Sequence, residues 1–478
     1  MEKNLSLPGN PRYQPVSLKE IWGYDNLYKP AIEVEIAVMR VLAENGIIPE
    51  EDIALLTPDV ERNLLEITTT QVDKTERNIT KHDIRALVRE IQVLLPEKLR
   101  RWAHVPLTSY DPLDTAQSIR FIRAHHGVVK PNALGVIDVL SDLVLKFAHQ
   151  IQIGRTHGQH ALPITVGFWL ATILSRILWN FEMMEEHAKK LCGKISGAVG
   201  AYNAQFGLRM AGSFPDNSFE RMVLEKLGLK PARISTQILP PEYNSYYLHS
   251  CIELSASLGQ LGRDCRHLMR SEIAEISEAY EEGQVGSSTM ANKRNPINFE
   301  SLEGMWIRTK NEFGKVLDTL ITDHQRDLVG SSVSRDFPII VVNLVVQLET
   351  LLRKDKNGQA FLERVTVNPE ACKANFNKSA KFILAEPIYI ALQMAGYQQD
   401  AHDLINSRAI PIAQKGGTHL IFALEALAEG DDDLRVALEN IPPPIRRLFY
   451  NPEDYIGIAD VKACEMAEKA KKFIAEIR

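Results

Sequence analysis

The fold is predicted most clearly by VGFWLATILSRILWNFEMM, residues 166–184, whose apolar side chains recur at helical spacing. Intervals of three and four residues place side chains on one face of a helix, and their alternation makes the seam of a helical bundle. We interpret these residues as core, together with those of three further stretches. The four seams are Val166, Leu170, Ile173, Ile177, Phe181 and Met184; Ile137, Leu140, Val144, Phe147 and Ile151; Leu254, Leu258, Leu261, Cys265 and Leu268; and Val341, Val345, Leu348 and Leu352.

Strand signals are sparse, so the sequence predicts an all-α fold, and a chain of 478 residues is too long for one compact domain. Residues 1–111 are expected to form short helices broken by prolines. Residues 112–365 contain the long helices and are expected to form a central bundle with a loop at 283–296. Residues 366–478 are expected to form a third helical domain, whose first turn signal is Asn368-Pro369.

Bulk composition describes an ordinary globular protein, with 45% hydrophobic and 24% charged residues. The net charge of −6 gives no overall footprint for nucleic acid. The five cysteines are scattered and form no CxxC pair, which favours reduced thiols in a cytosolic protein over a zinc site. The N-terminus has no secretory pattern and no apolar run reaches membrane-spanning length. We therefore expect a cytoplasmic protein without nucleic-acid or membrane partners.

The first motif with chemical potential is GSSTMANKRNPINFE, residues 286–300. Glycine makes this backbone permissive, and hydroxyl groups stand beside cations such as Lys293. Asn295-Pro296 predicts a helix N-cap followed by the first helical residue. A mobile cationic loop before a helix N-terminus can close over a dianion and exclude water. The alternative is a surface loop with incidental charges.

The second motif, GRTHGQHALPITVGF, covers residues 154–168 and precedes a long helix. A histidine beside small residues, such as His157, can protonate a departing amine near neutral pH. The spacing of His157 and His160 also suits a metal, but no third ligand is near in sequence, so no metal is predicted. A hydrogen-bonded structural histidine is the alternative that the sequence leaves open.

Three further clusters combine hydroxyls, cations and helix-start signals. Hydroxyls and backbone amides near a helix start suit carboxylate or phosphate oxygens, and arginines are natural anion clamps. Each cluster also has a plain structural explanation, either as a cap and turn or as a surface helix end. The clusters are Lys81-His82-Asp83; His104 with Thr108-Ser109-Tyr110-Asp111; and Gln325-Arg326-Asp327 with Ser331 to Arg335.

Taken in order along the chain, these motifs resemble the aspartase/fumarase superfamily and, within it, the adenylosuccinate lyase family. The resemblance covers almost the whole chain, from the Arg12-Tyr13 opening to LAEPI at 384–388 and DYIG at 454–457. It implies three helical domains, with the central bundles of a homotetramer joined as a twenty-helix core. It also implies active sites that combine loops from three chains.

The resemblance implies β-elimination that cleaves the C–N bond of adenylosuccinate and releases fumarate and AMP, without a cofactor or metal. The succinyl-carboxamide ribotide of purine biosynthesis would be a second substrate. The implied catalytic residues are Ser287 as general base, His157 as general acid, Lys293 as charge stabiliser, and His82 and Glu300 as orienting groups. The implied substrate-binding residues are Arg12, Tyr13, Asp83, His104, Thr108, Ser109, Gln237, Ser288, Met290, Asn295, Arg326, Ser331 and Arg335.

Two alternatives remain at the level of sequence. A related fumarate-releasing lyase, such as one acting on argininosuccinate, would need no phosphate site, and Arg12, Arg326 and Arg335 argue against it. A non-catalytic helical paralogue would have no need of Ser287 and His157. The loop also departs from the family pattern, because Ala291 stands where proline is usual, which predicts a looser loop.

Overall fold

A computed structural model of the chain describes residues 2–208, 218–280, 287, 289–290 and 292–477. The described residues are mainly helical, which confirms the predicted fold class. They form two compact units. The first unit comprises Met1–Gly135, Trp179–Gly259 and Ser301–Leu352, and the second comprises Val136–Leu178, Gln260–Glu300 and Arg353–Arg478. The division into three domains stays a prediction.

The elements before residue 270 are α1 Lys19–Trp22, α2 Lys29–Glu44, α3 Glu50–Ile53, α4 Pro58–Leu65, α5 Thr69–Thr75, α6 Asp83–Leu94, α7 Glu97–Arg100, α8 Tyr110–Ala124, α9 Lys130–Lys146, β1 Ile151–Thr156, β2 Gln159–Thr165, α10 Val166–Ala188, α11 Asn203–Gly207, α12 Ser218–Lys226 and α13 Glu242–Leu268. Those that follow are β3 Ile276–Ser277, α14 Ile297–Asp318, α15 Val329–Val333, α16 Pro338–Leu352, β4 Thr366–Val367, α17 Pro369–Asn377, α18 Ala385–Met394, α19 Ala401–Asp403, α20 Ile410–Gly416, α21 Leu420–Ala428, α22 Asp432–Asn440, α23 Pro443–Leu448 and α24 Ala459–Ile477.

The core of the first unit forms where α2 lies against α8. Pro30 stands in the first turn of α2, where its missing N–H costs nothing. Ile32 and Leu42 of α2 are fully buried and share one cluster with Ile119 of α8. Burying each such side chain contributes about 1.5–3 kcal/mol. This packing fixes the start of α8, where several predicted site residues lie.

Helix α16 is a core helix of the first unit. The seam residues Val341, Val345 and Leu348 are buried as predicted. By length and composition the helical stretch Val329–Leu352 would suffice to cross a membrane. However, 50% of its most apolar 18-residue segment is buried inside the protein. Gln347 is also buried and donates to the Leu302 carbonyl at 2.7 Å. This pattern is that of a helix in a protein interior.

The second unit carries its own apolar cluster, built by residues between Leu384 and Phe449. Asn368 caps α17, because its side chain accepts from the Ala371 N–H at 3.1 Å, as the Asn-Pro signal predicts. Helix α20 ends before Gly417, which adopts φ 61°, a conformation that glycine reaches without strain. The start of a helix that Asn368-Pro369 predicts is therefore confirmed.

One predicted seam is wrong at its end. Helix α9 stops at Lys146, and Ile151 opens strand β1 instead of closing a helical face. Strands β1 and β2 form an antiparallel hairpin, with Thr156 paired to Gln159. A periodicity of three and four therefore continued by chance into a segment whose local turn favours an extended structure. A second antiparallel pair, β3 and β4, is two residues long on each side.

Candidate active site

His157 lies at the tip of the β1–β2 hairpin in the second unit. It and Gly158 are the two turn residues, and their φ angles of 53° and 76° are both positive. Two-residue turns with this geometry match the twist of paired strands. The imidazole of His157 is exposed to solvent. The turn therefore exposes the predicted general acid to solvent at the end of a two-stranded hairpin.

The base of this hairpin is held by a buried carboxylate that the sequence did not single out. Glu275 is fully buried and pairs with Arg155, whose two terminal nitrogens lie 3.1 and 2.6 Å from the two carboxylate oxygens. Gln152 donates to the same carboxylate at 2.8 Å, and Asn375 donates to it at 2.9 Å. A carboxylate with this many donors is a strong anchor, because its charge is fully compensated.

His160 does not share the position of His157. Its Nδ1 lies 2.7 Å from the Ser379 hydroxyl, and burial, with Arg155 and Lys378 nearby, lowers its pKa. This histidine is bonded inside the second unit, which fits the structural alternative. The two histidines of the HxxH spacing thus occupy different surroundings.

The cationic loop, residues 283–296, is described at residue 287, at 289–290 and from 292 onward. The Ser287 hydroxyl oxygen accepts from the Met290 N–H at 3.2 Å. The backbone N–H of Lys293 donates to the Met290 carbonyl at 3.0 Å, which makes a turn. Met290 and Lys293 are exposed. Ser288, a predicted binding residue, lies outside the described residues. Backbone N–H groups aimed at the Ser287 oxygen favour negative charge on it.

The helix after this loop is capped differently from the prediction. Helix α14 begins at Ile297, and its orphan Phe299 N–H donates to Glu278 Oε1 at 2.7 Å. Asn298 donates to the other oxygen of Glu278 at 2.8 Å. The expected N-cap at Asn295 is therefore wrong, since a carboxylate distant in sequence satisfies the helix start. Asn295 instead accepts from the Tyr280 hydroxyl through its carbonyl oxygen, at 2.5 Å.

Glu300 lies in the first turn of α14 and is exposed. Among the residues that the structure describes, no hydrogen bond or ion pair joins His157 to Ser287, Lys293 or Glu300. The predicted catalytic residues of the second unit therefore do not form one bonded constellation within a single chain.

In the first unit, three predicted residues form a bonded group that we call the arginine cluster: Gln237, Arg326 and Ser331, with Tyr110. Arg326 donates to the Gln237 carbonyl oxygen at 2.7 Å and also to the Ser331 hydroxyl. Its guanidinium stacks over the Tyr110 ring at 3.5 Å from the centroid, and the Tyr110 hydroxyl lies 2.7 Å from Ser331. Planar guanidinium groups held this way are suited to phosphate or carboxylate oxygens.

A second arginine of the first unit is paired across the chain. Arg335 donates to Asp83 at 2.6 Å. Asp83 opens helix α6, and His82 is its N-cap, with a long contact of 3.4 Å from the Arg85 N–H to His82 Nδ1. The structure thus brings the predicted residues Asp83 and Arg335 into contact and places His82 beside them.

The Thr108-Ser109 turn is bonded to a buried ion pair, which Asp111 forms with Lys194. Asp111 accepts from the Thr108 N–H at 2.8 Å. Its other oxygen lies 2.5 Å from Lys194 Nζ, and both side chains are fully buried. Within the described part of the chain, the Ser109 side chain makes no capping hydrogen bond at the start of α8. Thr108 uses its backbone N–H, and not its hydroxyl, in the contact with Asp111.

The remaining predicted binding residues have other surroundings. His104 bonds the buried Glu35 carboxylate, with Nδ1 2.7 Å from Oε1, which is a structural contact. Tyr13 lies under the guanidinium of Arg308, 4.8 Å from the ring centroid. Arg12 is exposed, and its backbone N–H donates to Asn10.

Two residues of helix α8 were not among the predicted site residues. Tyr110 completes the arginine cluster, and Asp114 lines a cavity of about 80 Å³ together with Tyr110, Arg326 and Ser331. Burial raises the pKa of Asp114 to about 6, although the Leu239 N–H donates to it at 2.7 Å. Perturbed carboxyls beside a cavity are common at functional sites. Their spacing of four on α8 was the signal available in the sequence.

Comparison with known proteins gives a consistent set of relatives. The model of a lyase family matches residues 17–309. The adenylosuccinate lyase of Pyrococcus abyssi is 32% identical over 473 residues, which cover 98% of this chain and 97% of that protein. The adenylosuccinate lyase of Streptococcus mutans is 30% identical over 458 residues, which cover 94% and 99%.

Solved structures share the fold. A fumarate lyase from Mesorhizobium sp. BNC1 superposes with a TM-score of 0.78 at 22% identity, over 94% of this chain and 97% of that one. A 3-carboxy-cis,cis-muconate lactonizing enzyme from Pseudomonas putida gives 0.77 at 21% identity, over 96% and 98%. At such identities the likeness concerns the fold alone.

Proposed function

This chain belongs to the adenylosuccinate lyase family of the aspartase/fumarase superfamily, and we propose on this basis that it splits adenylosuccinate into AMP and fumarate. The observation that carries the proposal is identity of 32% to a relative of that name over 98% of this chain. The succinyl-carboxamide ribotide of purine biosynthesis, a cytoplasmic location and the absence of a cofactor belong to the same proposal.

Substrate charge supports the assignment. Adenylosuccinate carries two carboxylates and a phosphate, so three anionic ends need three binding groups. We assign the succinyl carboxylates to Thr108-Ser109 with Gln237 and to the cationic loop with Lys293. We assign the phosphate and ribose to Arg326, Ser331 and Arg335, together with Arg12, Tyr13 and His82. Arg326 is already oriented by Gln237 and Ser331, which reduces the ordering cost of binding.

The proposed chemistry is an elimination without a cofactor. The Ser287 alkoxide removes a proton from the succinyl carbon next to the one that carries nitrogen. The freed electron pair forms the carbon–carbon double bond of fumarate, while the electrons of the breaking C–N bond stay on nitrogen. His157 protonates that nitrogen, and AMP leaves. The Met290 N–H, 3.2 Å from the Ser287 oxygen, and the charge of Lys293 would stabilise the alkoxide.

We propose that the protein is a homotetramer whose active sites combine chains. Trp179 of α10 and Tyr246 of α13 have 62% and 57% of their surface exposed, which is unusual for aromatic residues on long helices. Burying these side chains against a partner would remove that exposure.

The direct test is fumarate release by the purified protein from adenylosuccinate and, separately, from argininosuccinate. Turnover of the nucleotide substrate with little release from argininosuccinate is expected, because a cationic guanidinium would meet Arg326 and Arg335 at the phosphate position. A faster release from argininosuccinate would overturn the substrate assignment. No fumarate from either would favour the non-catalytic paralogue.

A further inference from the structure

The buried carboxylate of Asp111 joins two segments of the first unit that are far apart in the sequence. It pairs with Lys194, whose Nζ lies 2.5 Å from Oδ1, and both side chains are fully buried. The same oxygen accepts from the backbone N–H groups of Ser196 and Gly197, at 3.1 and 3.2 Å. The other oxygen accepts from the Thr108 N–H at 2.8 Å. One carboxylate therefore holds the Thr108 turn on one side and the Ser196-Gly197 loop on the other.

The loop that begins at Lys194 also contacts the segment that carries Gln237. The Ser196 hydroxyl lies 2.6 Å from the Ser235 hydroxyl. Gly200 has φ 74°, and a Cβ atom at this position would overlap the Ser235 carbonyl oxygen, so the two backbones approach too closely for a side chain here. These contacts fix the chain two residues before Gln237.

Helix α8 holds the other side of the Gln237 segment through a second carboxylate. Asp114 accepts from the Leu239 N–H at 2.7 Å, two residues after Gln237. Asp111 and Asp114 are three residues apart on α8, so they lie on one face of the helix. The Thr108-Ser109 turn and Gln237 are thus held against the first two turns of the same helix.

We propose that Asp111, paired with Lys194, is a positioning residue that sets the Thr108-Ser109 turn and Gln237 at the separation a succinyl carboxylate requires. This inference rests on the proposed function, in which Thr108, Ser109 and Gln237 bind the succinyl group. Asp111 touches no reacting atom and acts only through the residues that it positions.

The burial of the ion pair supports a role in geometry. Replacing a buried ion pair by apolar residues of similar volume is often neutral or stabilising. The pair of Asp111 and Lys194 is therefore better explained by the arrangement that it specifies than by the stability that it adds. The backbone donors from both segments, which an apolar residue would leave unbonded, point to the same conclusion.

The test is Asp111→Asn in the full-length protein, with kcat and KM for adenylosuccinate and the Kd for AMP as readouts. An amide offers an acceptor on one side only, so its NH2 group must face either the Thr108 N–H or the N–H groups of Ser196 and Gly197. One segment then loses its hold. KM is expected to rise roughly 10- to 100-fold, the scale of a hydrogen bond to a charged group, with a smaller change in kcat. The Kd for AMP, which has no succinyl group, is expected to stay unchanged.

Glu185→Gln is the matched control, because it also replaces a buried carboxylate of the first unit by an amide. Glu185 lies 2.5 Å from the buried His125. Its loss should lower the free energy of unfolding, as Asp111→Asn does, and leave KM unchanged; urea unfolding measures the stability of both variants. An unchanged KM in Asp111→Asn would overturn the proposal, and so would an equal rise of KM in the two variants.

Two further measurements cover the remaining outcomes. If Asp111→Asn does not fold, Ser196→Ala tests the same claim, because it removes the contact with Ser235; KM should then rise by a smaller factor, and an unchanged KM would overturn the proposal. If the wild type does not split adenylosuccinate, the proposed function fails, and calorimetric titration of succinate decides this inference separately. Succinate binding that weakens in Asp111→Asn but not in Glu185→Gln would support it. Equal binding by all three proteins, or no saturable binding by the wild type, would overturn it.

Discussion

The arginine cluster of the first unit and the catalytic segments of the second unit differ in how their functional side chains are bonded. Arg326 contacts the side chains of both Gln237 and Ser331. Ser287 accepts from backbone N–H groups of its own loop, and His157 is exposed at a hairpin tip. Three of the proposed binding groups, Gln237, Arg326 and Ser331, are thus bonded to one another, whereas the His157 imidazole is exposed and Ser287 contacts only backbone N–H groups among the described residues.

The difference shows which residues of each unit are held in place by hydrogen bonds. In the second unit the bonds lie one step away from the reactive atoms, at Glu275 below the His157 hairpin and at Glu278 at the start of α14. Fixed supports with open reactive groups allow proton transfer at His157 and Ser287 without first breaking a bond.

The largest effect is expected for Ser287→Ala. Turnover of adenylosuccinate should fall by about 10²–10⁴-fold, the usual contribution of a positioned base, while AMP binding persists. Steady-state fumarate release and AMP titration measure the two parts. Thr289→Ala, which changes a hydroxyl in the same loop, is the control. Near-normal turnover of the Ser287 variant would remove this residue from the role of base.

Glu275→Gln removes the charge that anchors the hairpin. Because Arg155 then keeps a buried charge without its partner, the free energy of unfolding should fall by about 3–5 kcal/mol. Urea unfolding measures this change. Glu272→Gln is the control, since its pair with Arg270 is exposed, with side-chain exposures of 61% and 57%, and should behave as wild type. Equal stability of both variants would contradict the anchor.

Arg335→Ala tests the proposed binding site of the nucleotide phosphate. If the nucleotide phosphate is bound there and shielded from water, AMP affinity should fall by about 2–5 kcal/mol. Calorimetric titration of AMP measures it, with Arg62→Ala as the control because Arg62 pairs with Asp59 on the surface. An unchanged Kd for AMP in Arg335→Ala would show that the phosphate binds elsewhere. An equal loss of AMP affinity in Arg62→Ala would show that the effect comes from the overall charge of the protein and not from a contact at Arg335.

The smallest effect concerns pH and Asp114, whose pKa burial raises from 3.8 to about 6. Between these values the folded protein binds more protons than the unfolded chain, so this residue makes stability fall as pH rises through that window. The fall is at most about 1.4 kcal/mol per pH unit. Asp114→Asn should remove it, because a neutral amide can still accept from the Leu239 N–H. Urea unfolding of the wild type and of Asp114→Asn at about pH 4 and about pH 7 measures how the free energy of unfolding changes with pH. The same change in both proteins would contradict the prediction.

The sequence predicted the helical fold because seams such as Val341 to Leu352 report a local rule that burial then obeys. The resemblance to the family implied Gln237, Arg326 and Ser331 as binding residues, and the structure brings these three together. The roles proposed for them remain to be tested.

Other features were beyond the sequence for physical reasons. Ile151 fitted a helical period although the His157-Gly158 turn, with both φ angles positive, makes a hairpin. Glu275 accepts from Arg155 and Glu278 accepts from the Phe299 N–H, and both donors lie more than twenty residues away in the sequence. Periodicity carries no information about such contacts.

The most direct test asks whether reactive groups from different chains complete one site. His157→Ala and Ser287→Ala proteins, each inactive alone, are mixed under conditions of proven subunit exchange, and fumarate release from adenylosuccinate is measured. Random assortment should give two intact groups in about a quarter of sites, so activity should return to about a quarter of the wild-type level. Failure to recover activity after demonstrated exchange would contradict shared sites and require His157 and Ser287 to act within one chain.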